Sequence, residues 1–250
     1  MSQVPAATRA LQVLRFLARQ PEPVPLEHLA RAVGIPRSSA YHLLGVMAAE
    51  GFVVHLPEEH RYGLGLAAFE VGSGYTRQEP LQRLARPHLA ALVDAVGQSA
   101  HLAVLHGREV LYVVEERAPG RPPLVTDVGV RLPAHLTASG RAILAALPGP
   151  QVRALYPDRT AFVTRGGGGP TSPTALRQLL TETRRRGHAV EDGEVTPGFG
   201  SVASPVLDHN GHPVAAVAIT VPGTADRPRL VAGARRTAGL VSRRLGGSAG

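Results

Sequence analysis

The sequence predicts an α+β chain in two parts: a small helical segment closed by a hairpin, then a larger segment mixing hairpins with helices. Three observations predict it. Apolar residues recur at i, i+3, i+4, i+7 spacing in short runs before residue 50. Two pairs of apolar strands flank glycine turns, at Gly107 and Gly211. Helical stripes precede, separate and follow those pairs, as in an antiparallel sheet covered by helices.

In the first part, Ala7, Ala10, Leu11, Leu14 and Leu17 make a helical stripe that runs out at Gln20-Pro21. A second helix carries Leu26, Leu29, Ala30 and Val33 on one face. Gly34 follows, where a helix can end in the left-handed conformation that glycine adopts without steric cost. Pro36 suits the first turn of a third helix, whose stripe is Ala40, Leu43, Leu44 and Met47 and which stops before Gly51. Residues 52–56 then read as a strand, 57–60 as a turn and 61–64 as the return strand. Two short helices across a glycine turn, followed by a hairpin, predict a winged helix-turn-helix over residues 1–65.

That fold presents the third helix to a DNA major groove. Its outward face holds Arg37, Ser38, Ser39, Tyr41 and His42 behind Pro36; these six and Arg61, which opens the return strand of the wing, are the expected DNA contacts. Residues from Ala30 to Ala49 include no acid, so this stretch has nothing to repel phosphates.

Residues 66–79 read as a connecting helix, loosening from Tyr75 to Gln78. From Pro80 a long helix buries Leu81, Leu84, Ala85, Leu89, Leu92, Val93 and Val96 and ends at Gly97. A hairpin spans 100–105 and 110–114, a Pro/Gly-rich loop 118–123, and a helix 137–147. After the glycine run of 165–171, Ser172-Pro173 cap a helix that finishes at Gly187. A second hairpin (202–207 and 214–221) and a last helix with Leu230, Ala234, Leu240 and Leu245 complete a domain over 80–250.

Composition narrows the function. The chain of 250 residues is 44% apolar and 18% charged, which suits globular domains. It has no cysteine, which excludes disulfides, thiolate nucleophiles and Cys-ligated zinc. No apolar run is long enough for a membrane span and no leader opens the chain, so a cytoplasmic protein is expected. The net charge is +8 and all 27 basic residues are Arg. Residues 1–78 hold seven Arg and six Glu, so charge permits DNA binding without demonstrating it. No H-E-x-x-H, G-x-S-x-G or phosphate-loop motif occurs. His101 and His106 fall on opposite faces of a strand. No enzyme, cofactor or metal is therefore expected; the alternative is a ligand-sensing protein or metabolic enzyme without DNA function.

The segments 29–44 and 61–65, then 132–145, 184–198 and 201–217, resemble the IclR family of bacterial transcription regulators over nearly the whole chain. The resemblance implies a GAF-like antiparallel-sheet effector domain behind the winged helix, and homodimers, with a dimer of dimers as the alternative. It implies an effector pocket at Ala138, Ser139, Glu191, Asp192, Ser201, Ala218 and Thr220, with an organic or aromatic acid as effector. Thr137, Ala138 and Ser139 would stand at a helix N-terminus, whose free N–H groups favour an anion. His42 stands where the family commonly has Arg. The implied partners are a roughly palindromic double-stranded operator, a small-molecule effector and a second copy of the chain.

Overall fold

The computed structural model describes residues 4–78, 80–120, 126–165, 168–225 and 227–247. The chain separates into two compact units, Met1–Glu79 and Pro80–Gly250.

The first unit runs α1 (Pro5–Leu17), β1 (Val24–Pro25), α2 (Leu26–Val33), α3 (Arg37–Ala49), β2 (Val53–Leu56), β3 (Arg61–Leu64) and α4 (Leu66–Gln78). Val13, Leu17, Leu29, Leu44, Met47 and Val53 form its core. The stripe of α1 is rotated from the expected one. Val13 and Leu17 are buried while Leu11 is 60% exposed, because positions 10, 13, 14 and 17 make the better 3.6-residue face. Gly34 ends α2 at φ 68°, and the Ile35 N–H then bonds the Ala30 carbonyl at 3.0 Å. A side chain at Gly34 would be strained in that left-handed turn, on which the angle between α2 and α3 depends. Pro36 stands just before α3 rather than inside its first turn. The wing is the expected antiparallel pair, Val53 opposite Leu64 and Leu56 opposite Arg61. β1 adds to its other side, with Val24 opposite Tyr62; two residues are too few for a legible period.

The second unit runs α5 (Pro80–Val96), β4 (Ser99–His106), β5 (Glu109–Glu116), β6 (Arg131–Pro133), α6 (Ala138–Ala146), α7 (Gly149–Leu155), α8 (Pro173–Arg186), β7 (Ala189–Asp192), β8 (Phe199–Leu207), β9 (Pro213–Pro222) and α9 (Pro228–Arg244). Its strands form one antiparallel sheet in the order β6-β5-β4-β9-β8-β7, so the two predicted hairpins meet at the β4–β9 pair. Alternation along each strand divides the side chains between two cores. Leu102, Val202, Val217 and Ile219 pack with α5 and α9. Ala103, Ala203, Ala216 and Ala218 pack on the other face with α6. These alanines leave room for α6 to approach closely. Gly140 extends that requirement, since a Cβ there would lie 2.2 Å from the Ala134 carbonyl oxygen.

The short β6, α7 and β7 were not legible as separate elements in the sequence. The loop expected over 118–123 and the glycine run over 165–171 lie partly outside the described residues, at 121–123 and 166–167.

Candidate functional site: a hydroxyl-lined cavity and a DNA-facing helix

A cavity of about 550 Å³, counted with its open mouth, lies between α6 and the sheet. Thr137 caps α6 by accepting the Gly140 N–H at 3.0 Å. Ala138 and Ser139 are the first residues of the helix, so their N–H groups have no intrahelical acceptor. Sheet register supplies the opposite wall. Glu191 pairs with Ser201 and Ser201 with Thr220, which sets the three abreast on neighbouring strands. The Ser201 and Thr220 hydroxyls are 3.0 Å apart. Seven of the eight residues expected at this pocket line it: Thr137, Ala138, Ser139, Glu191, Ser201, Ala218 and Thr220. Asp192 does not. It is exposed, because adjacent residues of a strand point to opposite faces and Glu191 takes the inner one.

Tyr112, Thr126, Val195, Thr196 and Phe199 complete the lining and were not foreseen. Alternation along β5 puts Tyr112 on the face of Val110, so its position was within reach of pattern reasoning. Thr126 comes from an irregular segment and is held by a 2.8 Å bond to the fully buried His101, a contact without any local signature.

Arg141 ties both walls together from behind. It donates to the His135 carbonyl at 2.9 Å, the Val190 carbonyl at 2.7 Å and Glu194 Oε1 at 2.8 Å. The N-terminus of α6, β7 and the turn after β7 are thereby fixed relative to one another.

In the first unit, Arg37, Ser38, Ser39, Tyr41 and His42 are exposed on the first turns of α3. Between α3 and the wing lies an open groove, to which Glu27, His55, His60 and Tyr62 contribute beside Arg37, Ser38, Tyr41 and His42. The expectation of an acid-free surface is corrected here. Glu27, three residues before the acid-free stretch, pairs with Arg37 at 2.9 Å, because α2 crosses beside the start of α3. Arg61 does not line the groove; its Nη1 donates to the Pro23 carbonyl at 3.0 Å, across the strand pair that joins β1 to β3.

Residues 73–243 match the model for the bacterial transcriptional regulator IclR C-terminal domain, and residues 6–57 match the IclR helix-turn-helix domain. The chain belongs to the IclR family. It is similar to the glycerol operon regulatory protein of Streptomyces coelicolor, 34% identical over 95% of each chain. It is also similar to the transcriptional repressor IclR of Escherichia coli, 30% identical over 88% of this chain and 81% of that one. The crystal structure of an IclR homologue from Microbacterium hydrocarbonoxydans, complexed with 4-hydroxybenzoate, superposes with a TM-score of 0.79 at 25% identity, covering 96% and 98% of the two chains. The chain is therefore an IclR-type transcription regulator with a helix-turn-helix DNA-binding domain.

Electrostatics of the cavity in this IclR-family chain are set by Glu191, which is almost fully buried and accepts the Val195 N–H at 3.0 Å. Burial, followed by the neighbouring Glu194 charge, pushes its carboxyl above the usual range against the opposing pull of the Val195 N–H, Arg141 and Ser201. Among the described residues the lining contains no Arg or His. Burial likewise pushes the Tyr112 phenol up, which keeps it a neutral donor at physiological pH. Two effects compete for a ligand's charge. The buried α6 N-terminus favours an anion by up to about 2 kcal/mol. A second negative charge about 6 Å from an ionised carboxylate is disfavoured by about 3 kcal/mol at an effective dielectric constant near 20. An ionised Glu191 opposes the helix end, whereas burial, which favours its neutral form, relieves that opposition.

Proposed function

We propose that this regulator changes its affinity for an operator when a small polar molecule occupies the α6 cavity, and that it performs no catalysis. The observation that carries the reading is a partly enclosed, hydroxyl-lined cavity in a chain whose other unit exposes a helix-turn-helix. An effector that binds one arrangement of the protein better than another shifts DNA affinity by that difference. The homologue complexed with 4-hydroxybenzoate supports a small-molecule effector, and the regulatory character of the relatives supports a non-enzymatic role. On this reading Pro36, Arg37, Ser38, Ser39, Tyr41 and His42 face DNA, with Arg61 bracing the wing.

The protein acts as a homodimer on a roughly palindromic site, since two-fold proteins read two half-sites spaced by turns of DNA. Val4, Leu11, Leu66 and Phe69 are apolar and 60–71% exposed, as a surface covered by a second copy would be. Pairs of dimers follow the resemblance. Among the described residues no helix is long and apolar enough to cross a membrane, consistent with action on DNA in the cytoplasm. A gel shift against the DNA beside its own gene, at fixed salt with nonspecific competitor, tests the reading. A discrete shift relieved by a small-molecule extract is expected; no shift with or without the extract would overturn it.

A further inference from the structure

A buried polar chain fastens one wall of the cavity from behind. Sheet register sets Glu115, His101 and Ala218 abreast on β5, β4 and β9, and Ala218 lines the cavity. His101 is fully buried and touches the lining twice more. Its Nε2 lies 2.8 Å from Thr126 Oγ1, and its ring meets the Tyr112 ring edge-on with centroids 5.7 Å apart. The same nitrogen faces Glu115 Oε1 at 3.7 Å, too far for a hydrogen bond but near enough for a carboxylate to favour a proton there. The Glu115 side chain is 5% exposed, and its other oxygen takes the Arg117 guanidinium at 2.9 Å. Chiefly the facing His101, and also Arg117, hold its carboxyl below the usual range against the opposing effect of burial, so it is ionised at neutral pH. Arg117 also reaches Asp127 Oδ2 at 3.1 Å. Thr126 is thus tied from inside and its neighbour from outside, both through Glu115.

Hydrogen-bonding capacity decides which way the His101–Thr126 bond runs. His101 Nδ1 is buried and has no partner among the described residues. A ring proton on Nδ1 would be an orphaned buried N–H and would turn the Nε2 lone pair toward the Glu115 carboxylate. A proton on Nε2 leaves only a bare lone pair unpaired, which is better tolerated. We infer that Glu115 and His101 are positioning residues for the effector: they fix a proton on His101 Nε2 that is donated to Thr126 Oγ1, leaving the Thr126 hydroxyl hydrogen to bond an oxygen of the ligand. A hydroxyl has one hydrogen and two lone pairs, so accepting from His101 frees the hydrogen. Thr126 thereby selects ligands that present an acceptor oxygen to that wall, whether from a carboxylate, a carbonyl or a hydroxyl. This inference rests on the reading of the cavity as the effector site.

Two measurements on the full-length protein test it. Proton–nitrogen correlation spectra read the His101 tautomer in the ligand-free protein at neutral pH, with His101→Gln identifying its signals. The expected ring carries its proton on Nε2 with Nδ1 bare, and Glu115→Gln is expected to admit the other tautomer. A wild-type ring protonated on Nδ1, wholly or in part, would overturn the inference whatever the variants do; so would a tautomer that Glu115→Gln leaves unchanged. The second measurement is release of operator DNA by a titrated small-molecule extract. Thr126→Val, which keeps the shape and removes the hydroxyl, is expected to bind operator as wild type does. It is expected to need about fivefold more extract for half-release, the loss of one hydrogen bond. Thr126→Ser, which keeps the hydroxyl, is expected to respond within about twofold of wild type. An equal response from wild type and Thr126→Val, or a loss that Thr126→Ser does not restore, means that the wall residue only packs and sinks the inference while the effector reading stands. If the extract releases operator from none of the proteins, wild type included, the effector reading itself fails and the inference falls with it.

Discussion

Arg141 Nη2 lies 2.8 Å from Glu194 Oε1, and the guanidinium is almost wholly buried. A buried charge is tolerated only when paired and hydrogen-bonded, and Arg141 meets both conditions through Glu194 and two backbone carbonyls. Burial alone would raise the Glu194 carboxyl, but Arg141, by charge and by hydrogen bond, brings it below the ordinary carboxylate range.

Removing the acid alone should therefore be costly. Glu194→Ala is expected to lose about 3–5 kcal/mol, because it leaves Arg141 buried and uncompensated. The sign of the pH dependence follows from the lowered folded value. The contribution is present above the ordinary carboxylate pKa and is lost as pH falls through the folded one. Urea unfolding at pH 7 and in acid checks this: the difference between wild type and variant should shrink in acid.

Glu191 has the opposite sign. Its folded carboxyl is raised, so its ionised form weakens the native state as pH rises from the ordinary value through the raised one. Glu191→Gln is expected to melt higher than wild type above that window, with the advantage vanishing below it. Thermal melts across pH 4–8, with no ligand present, read this directly.

Gly140 tests how closely α6 must approach its preceding segment. Gly140→Ala places a methyl group 2.2 Å from the Ala134 carbonyl oxygen, a backbone atom that cannot swing aside. A loss of about 1–3 kcal/mol is expected in urea unfolding, with weakened effector binding because the cavity wall shifts.

The Glu27–Arg37 pair bears on DNA. Arg37→Ala is expected to cost about 1–3 kcal/mol of operator affinity if Arg37 pairs with a base, and the same on every sequence if it meets only phosphate. Glu27→Gln is expected to tighten binding by about two- to fivefold, since it frees Arg37 from an exposed ion pair and removes a negative charge from the groove. Fluorescence anisotropy on operator and scrambled duplexes, at several salt concentrations, separates these outcomes.

Much of this was legible without coordinates. The stripe Leu29–Ala30 with Gly34 behind it, and Leu44 with Met47, marked the helix-turn-helix because a 3.6-residue period and a glycine stop are local properties. Thr137 and Ser139 were legible at a helix start for the same reason. What escaped lay either in elements too short to show a period, such as β1 and β7, or in contacts between distant segments. Asp192 was grouped with Glu191, although strand alternation separates them once β7 is known to be a strand.

The sequence by itself determined the two-part α+β architecture, the reading helix and most of the cavity's polar lining, because those depend on periods, caps and recognisable segments. Only the tertiary structure decided which charges face which. Glu27 stands against Arg37 across the helix-turn-helix, Arg141 is consumed by Glu194 fifty-three residues away, and Glu191 is left without a cation among the described residues lining its cavity. Charge neutralisation is a matter of distance in space and burial, and no local pattern in the chain encodes it.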